Sequence, residues 1–286
     1  MSTLSETPAL DALQSPPASR AALSPNLGRW LLHGFVALVL IFLLLPTVLV
    51  VPMSLGEAAY IQFPPQGLTL KWYHAYFADA DWMSATWFSL RIALATTVSA
   101  TVIGTLASFA IVRGSLPGAG ALQALTLAPL IVPHIVLAVA LYLVFAPVGL
   151  TGNFFGFAIA HTMMSVPYVM LTVSASLQRI DPALELAALN CGATRAQAFW
   201  YVVLPNIAPG VAAGAVFAFL ASFDEATVAF FISGVEGKTI TRKLFEDIDY
   251  NLTPVIAAAS TVMVVISLVL MGGVEWLRSR GAASAR

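Results

Sequence analysis

Residues 114–178 run for 65 positions without one Asp, Glu, Lys or Arg. A soluble fold needs charge on its outer faces, and soluble domains carry roughly 25% charged residues. This chain carries 9%, with 13 basic and 14 acidic residues among 286. The uncharged stretch is also too long for one crossing, since about 20 apolar residues span the hydrocarbon of a bilayer. It reads as two spans, 122–146 and 154–177, divided by the turn-forming run Pro147-Val148-Gly149-Leu150-Thr151-Gly152-Asn153. Apolar stretches at 30–55, 92–112, 209–232 and 255–274 supply four more. The sequence therefore predicts an all-α integral membrane protein with six transmembrane helices.

The organisation follows from composition. Residues 1–28 are rich in Ser, Pro and Ala and are expected to form a disordered tail. The first run is longer than a signal h-region of roughly 7–15 residues and has no cleavage site, so it is read as a true span. Residues 29–86 then hold the first helix and an outer loop, residues 87–277 a core of five spans, and residues 278–286 a short tail. Six crossings put both termini on one side. With that side cytoplasmic, Arg20, Arg29, Arg113, Arg179, Arg195, Arg278, Arg280 and Arg286 lie inside, against Lys71, Arg91, Lys238, Arg242 and Lys243 outside. That excess is the arginine bias of inner loops.

Composition also excludes classes of function. A net charge of −1 leaves no basic footprint for nucleic acid. A single cysteine, Cys191, rules out an internal disulfide and a cysteine-built zinc site. The nearest approach to a phosphate loop is Gly234-Val235-Glu236-Gly237-Lys238-Thr239, but the first glycine of that motif is replaced by Ile232. No nucleotide site is expected in this chain.

Within the spans, Gly104 with Ser108, and Thr97, Thr101 and Thr105, suit close helix contact and interhelical hydrogen bonds. Pro129, Pro133 and Pro167 are expected to kink their helices, and His134 and His161 near them are read as packing residues. Asp224 and Glu225 stand out as acids inside a span. A carboxylate there costs about 2.5–3.5 kcal/mol on insertion scales, so each is expected to face protein or water. Two readings stay open: a buried pair that positions helices, or a charge that attracts a cationic solute. Asp224 is favoured for the route and Glu225 for packing, because Gly214, Ala218 and Ser222 share the Glu225 stripe. Beyond them, 242–248 reads as a short amphipathic helix in an outer loop, lying at the interface or touching a partner.

The inner loop between the fourth and fifth spans reads as helix, turn, helix. Asp181 can cap a helix with Pro182 at its first position, and Glu185 meets the positive helix end. Gly192 can end it in the left-handed conformation, and Thr194 can cap a second helix over 195–201.

Ala187-Ala188, then Gly192, then Val202-x-Leu204-Pro205 resemble the "EAA" loop of the permease subunits of binding-protein-dependent ABC importers. The usual pattern is Glu-Ala-Ala, three residues, Gly, nine residues, Ile-x-Leu-Pro. Every spacing is kept, but Leu186 stands at the usual glutamate and Glu185 lies one position earlier. Ala160-His161-Thr162, Pro167-Tyr168, Ser222-Phe223-Asp224-Glu225 and Pro254-Val255-Ile256-Ala257-Ala258 resemble the spermidine/putrescine-type branch. The resemblance implies a type I importer permease bundle in the bacterial inner membrane, with a cytoplasmic coupling-helix loop built from Glu185, Leu186, Ala187, Ala188, Gly192, Arg195, Val202, Leu204 and Pro205. It implies an ABC ATPase dimer that binds the ATP, a second permease subunit of a different chain, and a periplasmic solute-binding protein. Leu184, Leu186, Ala188 and Phe199 would fill a cleft in the ATPase, with Glu185 and Arg195 at its rim. The expected function is non-enzymatic transport of a polyamine. Iron, thiamine or an aminophosphonate are alternative cargoes. An ion-coupled carrier is a rival, but no inverted repeat is seen. An intramembrane hydrolase is another, but its catalytic groups would be scattered.

Overall fold

The computed structural model describes the backbone of residues 25–284, except 115, 235, 236 and 251, and the side chains of 28–276 within that range. All but the last residues of the expected N-terminal tail lie outside the described residues, as does part of the Gly234–Thr239 segment. Every regular element among the described residues is a helix. It divides into two units at Leu49 and Val50.

The first unit holds most of α1 (Pro25–Ser54), whose apolar run begins after Arg29. The second unit starts with the last turn of α1 and continues through α2 (Lys71–Ala78), α3 (Ala80–Arg113), α4 (Ala119–Ile131), α5 (His134–Phe145) and α6 (Phe154–Leu177). Next come α7 (Ala183–Asn190), α8 (Arg195–Ala198) and a π-helical turn (Phe199–Val203) that leads into α9 (Leu204–Phe223). The chain finishes with α10 (Thr227–Ile232), α11 (Ile240–Tyr250) and α12 (Val255–Ser284). Among the described residues, five helices are long and apolar enough to cross a membrane, and six if a bent pair counts as one span.

The bent pair corrects the third expected span. Residues 122–146 do not form one kinked helix. α4 and α5 meet at 105° across Val132 and Pro133. Val132 is extended, at φ −71° and ψ 131°, as steric clash with a following proline ring demands. Pro129 is absorbed within α4 and Pro167 within α6 without ending either helix.

The fifth span needs two corrections. It begins well before Pro209, because Arg195–Phe223 is one long helix interrupted by a π-turn, so the expected second loop helix is continuous with the span. It also stops at Phe223, and only α10 continues beyond. The outer boundaries shift too. α3 starts at Ala80, and its 34 residues extend about 50 Å at 1.5 Å each, longer than the hydrocarbon. α12 runs on to Ser284 through the expected C-terminal tail.

The centre of the second unit is α3, α6 and α9. Ala100, Val166, Val169, Val173, Ile207 and Ala218 are fully or nearly buried between them. Gly104 makes this approach possible, because a Cβ there would sit 2.7 Å from the Val169 Cβ. Ser108 donates to the Gly104 carbonyl within α3 and to the Met170 carbonyl of α6. Ser99 and Thr162 join the same two helices through their hydroxyls at 2.6 Å. A second core packs α5 and α10 against α6 through Ala138, Phe145, Phe157, Val228 and Ile232. In the third, Tyr76, Trp82, Ile240 and Ala259 bring α2, α3, α11 and α12 together.

Candidate functional site

Asp224 and Glu225 occupy the gap between α9 and α10. No proline or glycine breaks the helix there. Side chains take over backbone partners instead, the competition that weakens helices at acidic and hydroxyl residues. Glu225 Oε1 accepts from the Val228 N–H at 2.8 Å, a donor that a continuous helix would offer to the Asp224 carbonyl. The Glu225 carbonyl accepts from Thr241 Oγ1 of α11 at 2.8 Å. Glu225 Oε2 lies 3.4 Å from His134 Nδ1 at the start of α5, and its side chain is 7% exposed. Two residues before the break, Ser222 Oγ is 2.8 Å from Nδ1 of the buried His161.

Asp224 differs in every respect. It is exposed, and its carboxylate has no hydrogen-bond or ion-pair partner among the described residues. It opens into a cavity of about 730 Å³ bounded by Pro129, His134, Tyr168, Phe217 and Ser267, with Glu225 at its edge. The break thus separates two adjacent acids that a straight helix would turn only about 100° apart. One is tied into three elements and the other is free. His134, expected only to pack, is 45% exposed and lines this cavity. Its sequence signal was the preceding Pro133, which places it at a helix start.

The second candidate is the α7–α8 loop. Asp181 Oδ1 accepts from the Ala183 N–H at 2.9 Å, holding the entry to α7. Gly192 adopts φ +90°, and the Gly192 and Ala193 N–H groups return to the Leu189 and Ala188 carbonyls. That closes the C-terminus of α7 in the left-handed manner that favours glycine. Thr194 and Gln197 then form a reciprocal capping box. Leu184, Leu186 and Ala187 are exposed, Leu186 at 60%. Ala188 is half-buried, Arg195 and Pro205 are exposed, and Val202 and Leu204 are half-buried where α9 begins.

Two residues assigned by sequence to the partner surface turn inward. Phe199 packs edge-on to Phe109 of α3, ring centroids 5.0 Å apart. Glu185 Oε1 lies 2.9 Å from Arg113 Nε. Arg113 also donates to the Leu177 and Ile180 carbonyls at 3.1 and 2.8 Å, satisfying the C-terminal end of α6. Arg113 was legible only as an inner-side charge, because its partners lie more than 60 residues away.

A bundle of membrane-length helices, one of them broken at a pair of acids, has the build of a membrane permease. Residues 100–280 match the family described as the binding-protein-dependent transport system inner membrane component, and the chain belongs to that family. It is an ABC-importer permease, a transport subunit of the inner membrane. It is 28% identical over 242 residues to the spermidine/putrescine transport system permease protein PotC of Haemophilus influenzae, covering 85% of this chain and 94% of that one. It is 28% identical over 253 residues to the putrescine transport system permease protein PotI of Escherichia coli, covering 86% and 88%. The sulfate transport system permease protein CysT of Salmonella typhimurium is 32% identical over 197 residues, covering 63% of this chain and 70% of that one. Among solved structures, a chain of a bacterial ABC transporter that imports the acidic polysaccharide alginate superposes with a TM-score of 0.68 at 15% identity, covering 93% of this chain and 99% of that one.

Proposed function

We propose that this chain forms the translocation path for a small cationic solute, a polyamine of the spermidine or putrescine kind. The observation that carries the reading is the unpaired Asp224 carboxylate at the helix break, open to a large cavity. A cation that enters a membrane must lose water, and a carboxylate beside its path compensates part of that loss. The apolar walls of the same cavity suit a methylene chain between ammonium groups. The polyamine permeases to which the chain is similar along most of its length support the same cargo.

The energy enters through partners. ATP is bound and hydrolysed by a separate ATPase dimer, which docks on the exposed Leu184, Leu186 and Ala187 of the α7–α8 loop. Glu185, Ala188, Gly192, Arg195, Val202, Leu204 and Pro205 hold that loop in shape and join it to α9. A second, different permease chain completes the path, and a periplasmic solute-binding protein delivers the cargo on the α11 side. Both termini and the α7–α8 loop then face the cytoplasm.

The test is uptake of labelled spermidine and putrescine by the complex in proteoliposomes, with Asp224→Asn as the variant. Uptake should fall while assembly with the ATPase stays intact. The sulfate permease likeness supplies a second reading, an anionic cargo. Under it, Asp224→Asn should leave sulfate uptake unchanged or raise it, since the lost charge repels an anion.

A further inference from the structure

We infer that the route through this chain consists of two chambers that meet at Asp224, with Met263 and Val264 of α12 forming the neck between them. The inference rests on the reading that this face carries solute.

Beside the cavity described above lies a second, of about 500 Å³, beneath α11. Phe245 and Ile248, on the exposed face of α11, form part of its wall. The two cavities have four wall residues in common: Asp224, Ala226, Met263 and Val264. One chamber therefore opens on the α11 side, and the other runs past the break along α9. They adjoin where the free carboxylate stands.

The α12 sequence has the matching pattern. Ser260, Met263, Val264 and Ser267 fall at i, i+3, i+4 and i+7, which is one face of a helix. Ser260 lines the α11 chamber alone, Ser267 lines the other alone, and the two bulky side chains between them belong to both. All four are half-buried. The face thus reads hydroxyl, apolar pair, hydroxyl along the route. A short apolar constriction between wetter segments gates by excluding water. Methionine suits such a neck, because its unbranched side chain changes rotamer without moving the helix. Asp224 across the neck offsets the dehydration that a cation meets there, and an uncharged neck alone would oppose its passage.

Cysteine labelling in the assembled transporter tests this. In a chain carrying Cys191→Ser, the single variants Ser260→Cys and Ser267→Cys are exposed to a membrane-impermeant cationic thiosulfonate, added on the α11 side of sealed vesicles in the resting state. Ser260→Cys should react readily, and Ser267→Cys roughly tenfold more slowly, the effect of one modest barrier. Adding Met263→Ala should bring the Ser267→Cys rate up towards that of Ser260→Cys. Where Met263→Ala assembles poorly, Val264→Ala makes the same comparison. Equal rates at the two positions would mean that no neck exists. Reaction at neither would mean that both cavities face lipid, and an unchanged rate with the neck trimmed would place the barrier elsewhere. Any of these three overturns the inference. The identity of the cargo does not enter, so failure of the cationic reading, seen as unchanged polyamine uptake in Asp224→Asn, is a separate result.

Discussion

Arg113 at the end of α3 and Glu185 in α7 are joined at 2.9 Å, so α7 is tied to the core of the bundle by an ion pair. The arginine fork also holds the Leu177 carbonyl at the end of α6 and the Ile180 carbonyl of the turn beyond it. One guanidinium therefore fixes three segments whose relative position decides how the loop meets anything docked on it.

Glu185→Gln should loosen α7 without unfolding the bundle. A hydrogen bond to a charged group contributes about 1.5–3 kcal/mol, and the amide keeps only part of it. Stimulated ATPase activity and uptake should fall together, while the protein reaches the membrane at its normal level. Arg113→Lys should be worse, because a single ammonium cannot serve a carboxylate and two carbonyls in that planar geometry. Leu186→Glu should be tolerated, in the fold because Leu186 is 60% exposed and against the docked ATPase because glutamate is the usual residue of the loop pattern at this position. An assay in which Glu185→Gln transports normally would remove the ion pair from the coupling role.

Gly192→Val isolates a backbone effect. A Cβ at Gly192 would meet nothing within 4 Å, so crowding does not contribute. The φ of +90° is the obstacle, because a β-branched residue resists it. The turn should reopen and α8 shift, with a cost of about 1–3 kcal/mol. Insertion should be normal and ATP-driven transport reduced several-fold in proteoliposomes.

The two acids should separate by phenotype. Glu225→Ala removes the acceptor for the Val228 N–H and the neighbour of His134, and an orphaned buried donor costs about 1–3 kcal/mol. Membrane levels and thermal stability should drop. Glu225→Gln keeps an oxygen for Val228 and should be milder. Asp224→Asn breaks no bond among the described residues and should leave protein levels unchanged. Quantitative blotting beside uptake distinguishes the cases, and equal loss of protein from both acids would sink the division of roles.

The attachment of α11 should depend on pH at both extremes. Burial raises the Glu246 carboxyl, but hydrogen bonds and charge from Lys238 and Arg242 outweigh it and hold the group below its ordinary 4.5. Its contribution is present above that value and is lost as pH falls through the depressed one. Burial lowers the Lys243 ammonium, but Asp81 and Asp247 outweigh that and raise it above 10.5. Its contribution is present below 10.5 and is lost as pH climbs past the raised value. Hydrogen exchange of the α11 amides should therefore be flat between about pH 5 and 10 once corrected for intrinsic rates. It should rise at either end, with the acid arm reduced in Glu246→Gln, the remainder belonging to Asp81, whose carboxyl Lys243 also holds below its ordinary value. Trp82 fluorescence offers a second readout, since Lys243 lies 5.4 Å from its ring.

The features that the sequence determined are those written within a few residues. Spans follow from exclusion of charge, because each crossing must satisfy its own backbone in lipid. The left-handed Gly192 and the Thr194 cap were legible because a turn needs only its own glycine and hydroxyl. Gly104 and Ser108 announced close packing by size alone. Tertiary structure decided the rest. The break at Asp224 has no glycine or proline to mark it, and it rests on Thr241, 16 residues beyond Glu225 in another helix, and on His134 far earlier in the chain. Pro133 signalled a kink, but not that α4 and α5 would turn through 105°, an angle that the packing of α5 on α10 sustains. Glu185 could be placed on its helix by spacing, whereas its choice of Arg113 over a partner's surface depended on where α3 ended. A local rule fixes which conformation a residue can adopt; which distant group comes to meet it depends on how helices pack, and that information is spread over the whole chain.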